Sequence, residues 1–425
     1  MKKYLFLLLS TCFLFACGGS SDEPSPNPEP IKPAEKAPVT IMAYLFANNN
    51  LSSVLEANIG TMYDGLAKMK KSATLLVYMD GKVKFGANQA DHVILKYETD
   101  GHGNINGMEA LDESYSLDDI LSVGKIVKEY PTQNSADKDV MTQVLKDMIS
   151  ASSSEKLGLV IGSHGSAWLK DIATSRAIGP DGSNANSITV ADMADAMEAT
   201  GKTFDFLLFD ACYMATGEVC YEFKDVTNYQ IASVLEIPGY GFPYDMLMSD
   251  LYKGTVDGYK KTCDYFVQHY QQIYNADDAS NRSDYVWATI SLVDSKEMHA
   301  LTDEFKQQII AHKDALANFD IKGIQEYGRK PAQNLSLDMR QFVKVLNNGT
   351  VPASFDAQMN KAILHKNCME KGYYGSYNYD IDKQNYCGLG VYVPLDGYDK
   401  WNSHFKTIDW FTAAGWNEVT FSWDF

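Results

Sequence analysis

Apolar residues in this chain gather into short runs, and amphipathic stretches of helical period separate many of them. Val39–Phe46, Thr74–Met79, Val93–Tyr97, Leu157–Ile161, Phe204–Phe209 and Ile231–Leu235 are each nearly all apolar, the pattern of strands buried on both faces. Between the third and fourth runs, Val140, Val144, Leu145 and Met148 share one face of a helix. Between the fourth and fifth, Thr189 stands where an N-cap belongs, with Asp192 three residues on and Val190, Met193 and Met197 facing inward. Strands alternating with helices predict an α/β fold, a mainly parallel sheet sandwiched by helices. Beyond Pro243 the pattern turns more helical, to about residue 280 and again from Lys296 to Phe319. Two late runs, Val286–Val293 and Gly388–Val393, are expected to return to the sheet. The expected division is a core over 39–250 and a helical C-terminal region over 251–425, with no internal repeat.

The N-terminus reads as an address. Lys2 and Lys3 precede an apolar run, Tyr4–Ala16, too short to span a bilayer comfortably, so residues 1–16 are expected to be a cleaved signal. Leu14-Phe15-Ala16-Cys17 resembles a bacterial lipobox, which makes Cys17 the expected acylated anchor. Residues 17–38, Gly/Ser-rich and then Pro-rich, cannot bury apolar area and should act as a tether. The chain is therefore expected to be exported and lipid-anchored to a bacterial membrane; Asp22-Glu23 points to the outer membrane or cell surface.

With 45% hydrophobic residues the remainder can build a large core. A net charge of −18 argues against nucleic acid or an anionic membrane surface as partner, and suits a protein that draws cationic segments. Outside the leader stand Cys212, Cys220, Cys263, Cys368 and Cys387, an odd number, so at least one should be unpaired. No Cys or His spacing suits zinc, no G-x-S-x-G elbow suggests a serine hydrolase, and no phosphate or dinucleotide fingerprint appears. Nothing in the pattern calls for a second copy, and a monomer is expected.

Chemistry concentrates at two strand ends. The fourth run leads into Gly162-Ser163-His164-Gly165-Ser166, the fifth into Asp210-Ala211-Cys212-Tyr213-Met214. Ligands of open α/β sheets bind beyond the carboxyl ends of the strands, so a thiol and an imidazole can meet there. A free thiol is only a few per cent ionised at neutral pH and needs an activator. His164 is the expected base for Cys212, with the N-terminus of a helix read over Met214–Phe223 as a second aid. The N–H groups of Gly165 and Cys212 are candidates for an oxyanion hole.

Strand-Gly-Ser-His-Gly followed by strand-Asp-Ala-Cys-Tyr-Met-Ala resembles the clostripain family of cysteine peptidases, whose caspase-like fold is shared with caspases, legumains and gingipains. His164 also lies about 50 residues upstream of Cys212, as in caspases. Asn48-Asn49-Asn50-Leu51, Pro238–Tyr244 and Gly388–Pro394 agree, so the resemblance covers roughly residues 39–395. It implies a dyad of His164 and Cys212, and Asp210 at the floor of the pocket for the residue before the scissile bond. A desolvated carboxylate there favours Arg, then Lys. Glu236 is either a second acidic wall of that pocket or a charge at a strand end. The resemblance further implies self-cleavage in the Ser166–Ser187 loop, at Lys170 or Arg176, with Arg176–Ala177 favoured. The chemistry needs no cofactor. Calcium enters only through the resemblance; Phe46-Ala47-Asn48-Asn49 lacks the family's usual acidic residue, and no calcium loop is visible. The complete His164, Cys212 and Asp210 set favours an endopeptidase over an inactive lipid-anchored binding protein of the same fold. Acyl transfer to an amine stays open beside hydrolysis.

Overall fold

A computed structural model describes residues 32–425 apart from 86–87, 113–114, 170–177, 182–185, 277–284, 329–335, 375–376 and 424. Its centre is an eleven-stranded sheet. The strands longer than two residues are β1 (Lys36–Leu45), β2 (Ser72–Phe85), β3 (Asn88–Thr99), β4 (Lys125–Tyr130), β5 (Lys156–Gly162), β6 (Phe204–Asp210), β7 (Thr227–Ala232), β8 (Thr289–Asp294) and β9 (Ile363–Cys368). They run in the order β9-β8-β7-β6-β5-β1-β2-β3, with β4 also paired to β3 and the short strands Asn104–Ile105 and Met108–Glu109 beyond it. The five strands β7-β6-β5-β1-β2 are mutually parallel, and β3, β4, β8 and β9 join antiparallel at the two sides.

Both faces are covered, as near-continuous apolar strands require. Met42, Tyr44 and Phe46 of the first run pack with Met141, Val144, Leu145 and Met148 of α2 (Lys138–Ala151) and Met193 and Met197 of α3 (Val190–Glu198). The alternate residues Ile41, Ala43 and Leu45 pack on the other side with Leu55, Ile59 and Met62 of α1 (Ser52–Ala67). Each such buried Leu or Ile contributes roughly 1.5–3 kcal/mol. The Thr189 cap is as read: its hydroxyl accepts from Asp192 N–H and donates to the Asp192 carboxylate.

The sheet adds detail that the sequence pattern does not carry, and one expectation meets a correction. Val93–Tyr97 lies in an antiparallel strand, because a long hairpin, β2 to β3, replaces a crossover. Of the late runs, Thr289–Asp294 joins the sheet, but Gly390–Val391 pairs with Ser336–Asp338 in a separate three-stranded sheet. The edge next to β8 is taken instead by β9, whose half-exposed, polar residues suit an outermost strand and leave no apolar run to detect. Ala34–Phe425 forms one compact unit, and a single buried cluster holds Met42 together with Trp416.

Candidate active site

Register alone brings the two expected residues together. Across the parallel pair β5–β6, Gly162 and Asp210 are partners, and His164 and Cys212 each stand two residues beyond. Ser163 N–H donates to Asp210 O at 3.2 Å, holding the two chains side by side past the strand ends. Gly165 then lies directly on the Cys212 backbone: a Cβ there would sit 2.3 Å from Cys212 O and 2.8 Å from Cys212 N. No side chain fits in that gap. The glycine is required by the close approach of the two loops.

The turn after Cys212 differs from the sequence reading. Tyr213 has φ 63°, a left-handed conformation costly for a side chain of its size, and its N–H donates to Leu235 O at 3.0 Å. Ala215 N–H donates to Ser233 O at 2.9 Å. These bonds to the 233–235 segment hold the chain out of a helix until α4 (Gly217–Glu222), which Thr216 caps by accepting from Val219 N–H. A helix terminus acts only within its own first turn, so α4 begins too late to activate the Cys212 thiol.

None of the five cysteines outside the leader is in a disulfide, and only Cys212 among them is not fully buried. Burial pushes the thiols of Cys220, Cys263 and Cys387 up, and that of Cys368 up to about 12. They are core residues by placement.

Asp210 is buried at the end of β6. Its Oδ2 accepts from Tyr244 OH at 2.9 Å, Asn58 Nδ2 at 3.1 Å and Phe242 N–H at 3.4 Å. Tyr244 opens α5 (Tyr244–Leu251), and Asn58 belongs to α1. Gly241, at φ 69°, lets the loop into α5 pass over the carboxylate; a Cβ there would lie 2.7 Å from Oδ2. Burial pushes the Asp210 carboxyl up to about 6, and the Tyr244 and Phe242 bonds pull it part of the way back. All three bonds converge on Oδ2, which leaves Oδ1 as the oxygen open to a further partner. Glu236 is also buried, one residue past the Leu235 carbonyl that holds Tyr213, and its own carbonyl accepts from Trp287 Nε1 at 2.9 Å.

The profile of the clostripain family matches residues 43–423. The chain belongs to the clostripain family. Membership places it among cysteine peptidases. Clostripain of Hathewaya histolytica is 25% identical over 236 residues, 51% of this chain and 42% of that protein, so the match spans less than half of that relative. Among solved structures, a secreted cysteine protease of Bacteroides thetaiotaomicron bound to an irreversible peptide inhibitor superposes with a TM-score of 0.69 at 24% identity. That match covers 90% of this chain and 99% of the other. An inactive zymogen protease of Parabacteroides distasonis gives 0.67 at 23% identity, over 89% and 98%. These likenesses establish the fold, a caspase-like α/β sandwich.

In this clostripain-family chain the sequence reading passed over one neighbour of His164. His164 Nε2 lies 2.9 Å from Asn50 Oδ1, and Asn50 had entered only as part of a shared motif with no role. The signal was three consecutive asparagines at a strand end, more than a simple turn needs. The start of the Ser166–Ser187 segment is not exposed loop. Ser166–Leu169 is buried, with Trp168 packed on Tyr392, His404 and Phe405, and the Trp168 carbonyl accepts from His404 Nε2 at 3.0 Å. Lys170, Arg176 and Cys17 lie outside the described residues. Among the described residues no group of three or more His, Cys, Asp or Glu could hold a metal ion, and no helix is long and apolar enough to cross a membrane.

Proposed function

We propose that this chain is an exported cysteine endopeptidase that cuts proteins after basic residues, Arg before Lys, with Cys212 as nucleophile and His164 as base. The register match that sets the two residues equally far beyond Gly162 and Asp210 carries the reading. His164 takes the Cys212 proton as the sulfur attacks the scissile carbonyl carbon. The N–H groups of Gly165 and Cys212 hold the oxyanion. The intermediate collapses, the C–N bond breaks, and the leaving amine takes its proton from His164. Water, deprotonated by His164, then hydrolyses the thioester and restores the thiol. Asp210 Oδ1 meets the cationic side chain before the scissile bond, and Glu236 supplies a second acidic wall. No cofactor enters these steps. No step is routed through calcium.

Acylation at Cys17 holds the enzyme on a bacterial membrane, the 17–38 tether lets it reach protein substrates, and it acts as a monomer. Maturation is by its own cut at Lys170 or Arg176. The deciding experiment pairs fluorogenic peptides that differ only in Arg, Lys, Asp or Ala before the reporter, with wild type run beside Cys212→Ala. Turnover of the basic peptides alone, lost in the variant, is expected. Silence from the wild-type chain, persisting after nicking between residues 170 and 177, would turn the reading to a binding protein.

A further inference from the structure

A carboxylate two strands away reaches the base through the loop that ends β1. Asp80, fully buried on β2, accepts at Oδ1 from the N–H of Ala47 and from that of Asn48, the latter at 2.9 Å. Asn49 tightens the same turn: its Nδ2 donates to Phe46 O at 2.7 Å and its Oδ1 accepts from Leu51 N–H at 2.8 Å. Phe46 N–H in turn donates to Gly162 O at 3.0 Å, so the loop is tied to the end of β5, two residues before His164. Asn50 leaves this fixed turn with its Oδ1 2.9 Å from His164 Nε2.

We propose that Asn50 and Asp80 form a positioning relay for the base: Asp80 fixes the turn, and Asn50 fixes the imidazole. The inference rests on the thiol–imidazole reading above. A carboxamide oxygen can only accept, so the bond requires the hydrogen on Nε2. Nδ1 is then the nitrogen that takes the Cys212 proton, and the ring cannot rotate without losing its acceptor. A nucleophile and base whose base is oriented by a third group is a general arrangement of covalent catalysis, and here the orienter comes from the first strand end. Asp80 also supplies, from the neighbouring strand, the negative charge that Phe46-Ala47-Asn48-Asn49 lacks in sequence.

The test uses the full-length chain and a basic fluorogenic peptide, with circular dichroism to confirm folding. Asn50→Ala should lower kcat roughly 10- to 100-fold while KM moves less than about twofold. Alkylation of Cys212 by iodoacetamide should slow with it, since the thiolate loses its oriented partner. Asn50→Asp, which keeps an acceptor in place, should recover most of both. Asp80→Asn keeps one acceptor oxygen but loses the charge, and should cost roughly 3- to 10-fold in kcat alone. On the Asn50→Ala background it should cost less than about twofold, because the turn then has nothing to present. Unchanged kcat and alkylation in Asn50→Ala, or an equal Asp80→Asn penalty on both backgrounds, would overturn the relay. Turnover retained in Cys212→Ala or His164→Ala would overturn the dyad reading beneath it, an outcome distinct from a failed relay.

Discussion

Tyr244 donates its hydroxyl hydrogen to Asp210 Oδ2 at 2.9 Å, so the carboxylate two residues before Cys212 is gripped by the first turn of α5. A helix from the second half of the chain thus holds a carboxylate at the end of β6. With Asn58 and Phe242 bound to the same oxygen, Asp210 is oriented before any substrate arrives.

That environment makes selectivity depend on pH. Burial lifts the Asp210 carboxyl to about 6, so the folded protein holds this proton well above the usual carboxylate range. Below about pH 6 Asp210 loses the charge proposed to pair with a basic side chain. The ratio of kcat/KM for an Arg peptide to that for an Ala peptide should fall as pH drops through this value, then level off above it. Asp210→Asn should cut the ratio at pH 8 by roughly 30-fold or more. A ratio that stays flat with pH would exclude Asp210 from the pocket.

Gly165→Ala should fold and fail. The new Cβ would meet Cys212 backbone atoms at 2.3 and 2.8 Å, and neither loop can yield without moving the nucleophile. Turnover is expected to drop roughly 100-fold or more, since displacements near 1 Å cost that much. Activity within tenfold of wild type would show that the two loops separate freely.

Thiol labelling should be selective. Under native conditions iodoacetamide is expected to modify Cys212 and to leave Cys220, Cys263, Cys368 and Cys387 untouched, because these four are buried with raised thiols. Peptide mapping by mass spectrometry reads the result. Labelling of any of the four at a comparable rate would contradict the packing described above.

Glu218 predicts how stability varies with pH. It is fully buried; Oε1 accepts from Tyr392 N–H at 2.7 Å, and Oε2 meets no partner among the described residues. Burial raises its carboxyl from 4.5 to about 7, so the folded state binds the proton more tightly than the unfolded chain. Its contribution is therefore most favourable below pH 4.5 and is lost as pH rises through 7, by on the order of 3 kcal/mol. Glu218→Gln cannot ionise and should lose less Tm than wild type between pH 5 and pH 8. Parallel Tm curves for the two proteins would falsify this.

Self-cleavage is checked by incubation. Wild type should convert to two fragments with a junction after Lys170 or Arg176, and Cys212→Ala should stay intact. Arg176→Ala should move or slow the cut. Identical intact bands for wild type and Cys212→Ala would end the idea.

Much of this was legible in the sequence because it is local. The apolar runs 157–161 and 204–209 became β5 and β6, and the residues after them became the loops that carry His164 and Cys212. The Thr189 cap depends on neighbours within a turn and appears as read, and so do Val144, Leu145 and Met148 on their helix face, where Met141 is buried and Val140 only partly so. The same locality misled at Met214–Phe223: helical spacing is present, but Leu235 and Ser233 claim the N–H groups of Tyr213 and Ala215, and the helix waits for Thr216.

The sequence by itself determined the alternating architecture, the two strand ends that bear a thiol and an imidazole, and the carboxylate beside them. Each of these follows from residue type and short-range period. Tertiary structure alone decided that Gly162 and Asp210 share a register, that Tyr244, Asn58 and Phe242 close on Asp210, and that Asn50 meets His164. It also decided that β9, a polar strand from the C-terminal half, completes the sheet. These pairings join residues tens to hundreds of positions apart. Their energies come from hydrogen bonds and buried surface that exist only once the chain has folded, and no local pattern records which distant partner will be there.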